Sequence, residues 1–145
     1  VKIHSGNISH GDFMTNPKSL TNIEVIKRGE GGNIMILRLT FETGSADIYT
    51  EYAIRSVLRP KLGNKKIILN LNDSSTVENY SLMPSAYFSF EKNYNSEGKL
   101  SGIKLYGGGM GHGCGMSQNG AEYLASQGKT FEEILKTYYK NTEIR

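Results

Sequence analysis

One cysteine stands in the whole chain, and tryptophan is missing altogether. With Cys114 alone no internal disulfide can form, so the compartment leaves no mark in cysteine pairing. At 145 residues a single domain is expected. A chain of that size buries roughly 68–70% of its unfolded surface, enough for a core without covalent staples. Apolar runs are short, and none approaches the roughly 18 residues that a membrane-spanning helix requires. Charge of one sign is also scarce, with 17 Lys and Arg against 14 Asp and Glu and a net charge of +3. The basic residues gather only loosely, at Arg59, Lys61, Lys65 and Lys66 and at Lys27–Arg28. A nucleic-acid binder concentrates them on one face or stripe, so no nucleic-acid partner is expected. These clusters read as solvated surface or as a contact for an anionic polymer. No signal peptide is visible, and Val1 reads as a processed end or the start of a fragment. The 37% hydrophobic and 21% charged residues suit a folded domain rather than a disordered one.

Glycine is what the chain has in quantity. Seven of its 17 glycines fall within Gly107-Gly-Gly-Met-Gly-His-Gly-Cys-Gly-Met-Ser-Gln-Asn-Gly120. Without a Cβ, such a segment lets the backbone approach a ligand closely.

The flanking sequence sets this stretch in an α+β frame. Residues 1–20 carry turn formers (Gly6, Asn7, Gly11, Asn16, Pro17) and read as an irregular lead-in. Ile23–Lys27 and Ile34–Phe41 form a hairpin around the Gly29–Gly32 turn, and Ala46–Thr50 suits a third strand. Glu51–Leu58 shifts to a helical period and must end before Pro60. Lys66–Leu71 reads as a short strand, and 72–85 as polar loop. Ala86–Glu91 and Leu100–Tyr106 pair around Asn93–Gly98. In the last third, Met116, Tyr123 and Leu124 recur at helical spacing, with Gly128 as terminator. Thr130 and Glu133 make a capping box for a second helix whose Phe131, Ile134, Leu135 and Tyr138 share one face. Thr142–Arg145 reads as a final strand. The expected architecture is a mostly antiparallel sheet with a short inserted helix and two C-terminal helices packed on it.

As chemistry, the strand–glycine loop–helix order suggests a phosphate cradle, but no Gly-Lys-Ser/Thr follows, which argues against a P-loop. The Gly107-x-Gly109-x-x-His112 spacing fails the dinucleotide fingerprint, and no βαβ unit surrounds it. What remains is a loop whose N–H groups can bind polar ligands, with Gly109, Gly111 and Gly113 keeping it open. Ser117 and Gln118 sit at a helix start, where free N–H groups favour acceptor atoms. Gln118 offers both donor and acceptor, suited to a sugar hydroxyl or N-acetyl group. His112 can donate, accept or titrate near neutral pH. Each has a plainer reading: Ser117 as a helix cap, His112 as a structural histidine, Gln118 as surface. His112 and Cys114 are only two ligands and make no metal site, so Cys114 reads as a small buried hydrophobe and no cofactor is expected. Nine tyrosines can stack on sugars in place of tryptophan.

The segment Tyr106–Ala121 resembles the signature of the stage II sporulation protein D family, shared with amidase-enhancer proteins. Gly128-Lys-Thr-Phe-Glu-Glu-Ile-Leu-Lys-Thr-Tyr-Tyr139 continues the resemblance in register. Upstream, Ile23–Gly29 and Tyr52-Ala-Ile-Arg-Ser-Val-Leu58 resemble the family's strand pair and Arg-Leu helix, so the likeness covers roughly 21–145. Val is usual where Cys114 stands. The resemblance implies the C-terminal portion of a peptidoglycan lytic transglycosylase acting on glycan strands stripped of stem peptides. His112, Ser117 and Gln118 would line the glycan cleft, with Arg55 as a further lining residue. It also implies an extracytoplasmic site, an N-terminal membrane anchor outside this chain, and an amidase and a membrane scaffold of the engulfment machinery as partners. The family's general acid is a glutamate in a Gly-Val-Val-Ala-x-Glu-Met-Pro type motif, which does not occur here. Glu24, Glu42, Glu51, Glu78 and Glu91 lack its neighbours, so the acid is expected from the remainder of the polypeptide. A non-catalytic glycan-binding or amidase-activating module fits the isolated chain equally well.

Overall fold

Alternation of apolar and polar residues along Leu37-Arg-Leu-Thr-Phe41, after the apolar run Ile34–Leu37, gives one strand a face for the core, and the rest of the first unit is built on that strand. In the computed structural model, residues 1–4, 13, 15–60, 68–71 and 73–144 are described. The chain divides into two compact units, Val1–His112 and Gly113–Arg145. In the first unit, β1 (Lys2–His4), β2 (Leu20–Arg28), β3 (Ile34–Phe41) and β4 (Gly44–Tyr49) form an antiparallel sheet of order β1-β4-β3-β2. Helix α1 spans Glu51–Val57. Two antiparallel hairpins follow, β5 (Ile68–Asn70) with β6 (Thr76–Glu78) and β7 (Phe88–Tyr94) with β8 (Leu100–Gly107). The expected α+β class holds.

The core lies on one face of the four-stranded sheet. Leu37 stands opposite Val25 and Ile48, and Leu39 opposite Ile23 and Ala46. Ile23, Ile34, Leu37 and Ile54 are fully buried, each worth about 1.5–3 kcal/mol of transfer from water. A bulge between Val25 and Lys27 breaks the alternation and leaves Ile26 at the surface. The β7–β8 hairpin is tied to the sheet by polar bonds: Arg28 donates to the Phe88 carbonyl at 2.8 Å, Ile34 N–H to Ala86 O at 2.8 Å, and Lys92 Nζ to Asn22 Oδ1 at 2.6 Å.

Three sequence expectations need correction. The segment read as an irregular lead-in contributes strand β1, which pairs with β4. It also contributes Phe13, which is buried and meets the Phe41 ring edge-on at 5.7 Å. A three-residue strand is too short to show a period, and its turn formers Gly6, Asn7 and Gly11 lie outside the described residues. Residues 72–85, read as loop, include β6. There the Asp73 carboxylate accepts from the Ser75 N–H and hydroxyl and closes the turn, a local side-chain motif that periodicity does not register. Finally, Thr142–Ile144 belong to no strand, and Thr142 instead donates to Tyr139 O.

On the sheet's other face, Arg38 binds Asp47 through two hydrogen bonds at 2.6 and 2.9 Å, and His4 Nε2 lies 3.3 Å from the same carboxylate. The Arg38 bond, helped by His4, holds the Asp47 carboxyl below its ordinary range despite burial. A folded-state value below the unfolded one means that the unfolded chain binds the extra proton. The contribution is therefore complete above the unfolded value of about 3.9 and lost as pH falls through the lower folded value. Urea midpoints are expected to fall steadily below about pH 5, and Asp47→Asn should flatten part of that fall. An unchanged acid profile in the variant would remove Asp47 from the account.

The second unit holds α2 (Gln118–Ser126) and α3 (Phe131–Tyr138). Gly128, at φ 80°, ends α2 with its N–H on Ala125 O, while Lys129 N–H reaches Leu124 O. These two bonds satisfy the last helical carbonyls. The Thr130–Glu133 capping box forms as the sequence indicates, and its donors, with Lys129, hold the Glu133 carboxyl below its usual range. Of the expected α3 face, Ile134 is buried and Leu135 and Tyr138 are half-buried, but Phe131 is exposed. It stands at the helix's first residue, with no turn before it to share its cover.

Candidate functional site

The glycine stretch begins where β8 ends. A Cβ at Gly107 would collide with the Tyr87 carbonyl oxygen and lie 2.7 Å from Phe88 Cβ, so the close pairing of β7 and β8 demands glycine there. Past it the chain leaves the ladder but stays anchored. Gly108 N–H donates to Tyr87 O at 3.1 Å, the Ser85 hydroxyl donates to Gly108 O at 2.6 Å, and Gly111 N–H donates to Pro84 O at 2.9 Å. Between these anchors Gly109 takes a φ of 78° and Gly111 of 109°, backbone that a residue with a Cβ adopts only under strain. Open space lies around Gly108, Gly109 and Gly111. Met110 and His112 are exposed.

The boundary between the two units falls inside this stretch, after His112. Gly109, Gly111, His112 and Arg55 belong to the first unit, and Gly113, Ser117 and Gln118 to the second. In the second unit the chain is held by an aromatic hydroxyl, since Met116 N–H donates to Tyr139 Oη at 3.2 Å. Ser117 caps α2, its Oγ accepting from Gly120 N–H at 3.1 Å. The cap uses one lone pair, and a serine hydroxyl keeps its own proton to donate. Gln118 opens the helix and is exposed. Among the described residues no group of three or more His, Cys, Asp or Glu side chains is placed to hold a metal ion.

Two residues sit differently from the sequence reading. Cys114, expected as a buried hydrophobe, is exposed. Its neighbours Gly113 and Gly115 both have positive φ and no side chain to cover it. Arg55 is buried within α1. Its Nε donates to Met83 O at 2.8 Å, and its Nη1 meets Glu51 Oε2 at 3.1 Å. Sequence reasoning missed Pro84, Ser85 and Tyr139 as supports of the glycine stretch. Only the Tyr138–Tyr139 pair carried a signal, as part of the family resemblance.

Among the described residues, the carboxyls with a clear shift are all moved toward the charged form: Asp47 by Arg38, Asp73 by Ser75, Glu133 by the Thr130 N–H and Lys129. A general acid in glycoside chemistry needs the opposite displacement, so none of these three suits that role.

Over 36 residues, a quarter of its length, the chain is 56% identical to stage II sporulation protein D of Bacillus subtilis and to the protein of that name from Bacillus amyloliquefaciens. That is a short but close similarity. It supports a relationship to stage II sporulation protein D. The matched part makes up only 10% of each Bacillus protein. A longer likeness, 35% identity over 103 residues, joins 71% of the chain to 26% of an uncharacterized protein of Brachyspira hyodysenteriae. No family model matches the chain, and no solved structure does. The chain thus spans a small fraction of the curated relatives it matches.

Proposed function

We propose that this chain is the C-terminal part of a lytic transglycosylase that cleaves peptidoglycan glycan strands, freed of stem peptides, during sporulation engulfment. The observation that supports it best is the glycine stretch: anchored main chain kept open by glycine, carrying exposed His112 and Gln118, in a chain similar to stage II sporulation protein D. The His112 imidazole in the first unit, and the Gln118 amide and Ser117 hydroxyl in the second, are each of a type that donates to or accepts from hydroxyl and N-acetyl groups.

In this chemistry a carboxylic acid protonates the glycosidic oxygen as the bond to the anomeric carbon breaks. The resulting carboxylate then takes the proton from the sugar's 6-hydroxyl, whose oxygen closes the anhydro ring. The acid ends as it began, and no water is consumed. Such a carboxyl needs a raised pKa, and we place it in the remainder of the polypeptide, with the present chain binding and orienting the sugar. An extracytoplasmic location, an N-terminal membrane anchor, and an amidase and a membrane scaffold as partners belong to the same proposal. The missing glutamate motif fits one other reading equally well for the isolated chain, a glycan-binding or amidase-activating module without chemistry of its own.

The test is to offer stem-peptide-free glycan strands to the full-length protein and look for anhydro-sugar ends by mass spectrometry. Their absence would leave the non-catalytic reading. The 145-residue chain alone should yield none, and product from it would locate the acid within these residues. In the full-length enzyme, His112→Ala and Gln118→Ala are each expected to weaken strand binding or turnover about tenfold, the loss of roughly one hydrogen bond, with unfolding unchanged. Unchanged kinetics in both would return them to structural roles.

A further inference from the structure

The stretch from Gly108 to Gly111 does not hold its own shape. Its anchors all lie on the segment that enters β7: Pro84 O for Gly111, the Ser85 hydroxyl for Gly108 O, and Tyr87 O for Gly108 N–H. Ser85 is used twice, since its Oγ also accepts from Tyr87 N–H at 3.0 Å. One hydroxyl therefore fixes both the turn into β7 and the departure of the loop from β8.

That segment is in turn clamped from α1. Arg55 grips Met83 at two points: its Nε donates to Met83 O at 2.8 Å, and its own carbonyl accepts from Met83 N–H at 3.3 Å. Glu51, one turn earlier, meets the same guanidinium, so the buried charge is paired. Arg's planar fork suits this task because its donors are fixed relative to one another. From Arg55 the contacts run through Met83 and Pro84 to Gly111, and the residue after Gly111 is His112.

We propose that Met83–Ser85 is a shelf that sets the glycine loop, and that Arg55 and Ser85 are positioning residues for glycan binding by that loop, acting through main-chain bonds rather than touching sugar. The proposal rests on the glycan reading for its ligand and on geometry alone for the shelf. Loop donors bind well only when held in place before the ligand arrives.

The experiment uses the full-length protein with Ser85→Ala, Ser85→Thr and Arg55→Gln. Amide hydrogen exchange is followed at Gly108 and Gly111 without ligand, and affinity for stem-peptide-free glycan strands is measured alongside. In Ser85→Ala and Arg55→Gln, exchange at Gly111 should quicken about tenfold or more while β2–β3 amides keep their protection, since only a local opening is eased. Strand affinity should fall about tenfold, and Ser85→Thr, which keeps the hydroxyl, should restore both. If Arg55→Gln loses the fold, Ser85→Ala decides. Wild-type exchange at Gly111 in the folded variants overturns the shelf. Faster exchange with unchanged strand affinity overturns the positioning role. Faster exchange in a protein that binds no strands even as wild type leaves the shelf standing and defeats the glycan reading instead.

Discussion

Replacing Gly107 with alanine is expected to destabilise the first unit by about 3 kcal/mol, although it adds a single methyl group. Overpacking typically costs 1–3 kcal/mol when neighbouring side chains can yield. Here the obstacles are the Tyr87 carbonyl oxygen and, at 3.0 Å, Phe88 Cα. Both are main-chain atoms at the entry to β7, held by the Phe88–Gly107 pairing and the Gly108–Tyr87 bond, and cannot rotate away. Phe88 is itself core, so relief has to come from parting β7 and β8 at the end where Gly108 N–H meets Tyr87 O. Melting should drop by about 10 °C for a chain of this length, and the Gly108 amide should exchange faster. Gly108→Ala is the control, because nothing lies within 4 Å of a Cβ there and no positive φ is involved. A Gly107→Ala variant as stable as Gly108→Ala would show that the close approach is not a constraint.

This contrast marks what the sequence can and cannot convey. The stretch Gly107–Gly120 is legible as a place of close approach, yet its glycines serve different ends. Gly107 admits a neighbouring strand, Gly109 and Gly111 permit left-handed backbone, and Gly108 has room to spare. Strands β2, β3 and β4 are readable because Ile34–Phe41 is rich in strand formers and the Gly29–Gly32 turn interrupts the run. The C-terminal helices were readable because Thr130, Glu133 and Gly128 are local signals, satisfied within a few residues of themselves. What local pattern does not carry depends on partners far along the chain. Arg55 meets Met83 across 28 positions and Ser85 meets Gly108 across 23. A serine before an alanine and a tyrosine announces nothing until β7 and β8 are paired. Cys114 is exposed for a related reason. Small sulfur residues are usually buried, but burial needs neighbours, and a run of glycines supplies none.

The largest loss of stability is expected from Ile54→Ala, about 3–4 kcal/mol. Truncating a buried isoleucine removes its transfer energy and leaves a cavity, together 2–5 kcal/mol, and Ile54 is fully buried among Leu37, Ile34 and Ile23. Its position adds to the cost. Helix α1 has seven residues, too few to persist on hydrogen bonds alone, so tertiary packing must hold it. Ile54 is the apolar residue of α1 that is wholly out of water, whereas Val57 is 48% exposed. Loosening that anchor frees the next residue, Arg55, and with it the grip on Met83 and the seat of Gly111. Ile54→Ala should therefore lower the urea midpoint and also raise Gly111 exchange beyond what global destabilisation gives. Leu37→Ala, with a comparable cavity in β3, should lower the midpoint without that excess. Val57→Ala should stay within about 0.5 kcal/mol of wild type, as surface changes do. Equal Gly111 exchange in Ile54→Ala and Leu37→Ala, at matched stability, would mean that the core and the loop are not connected through α1.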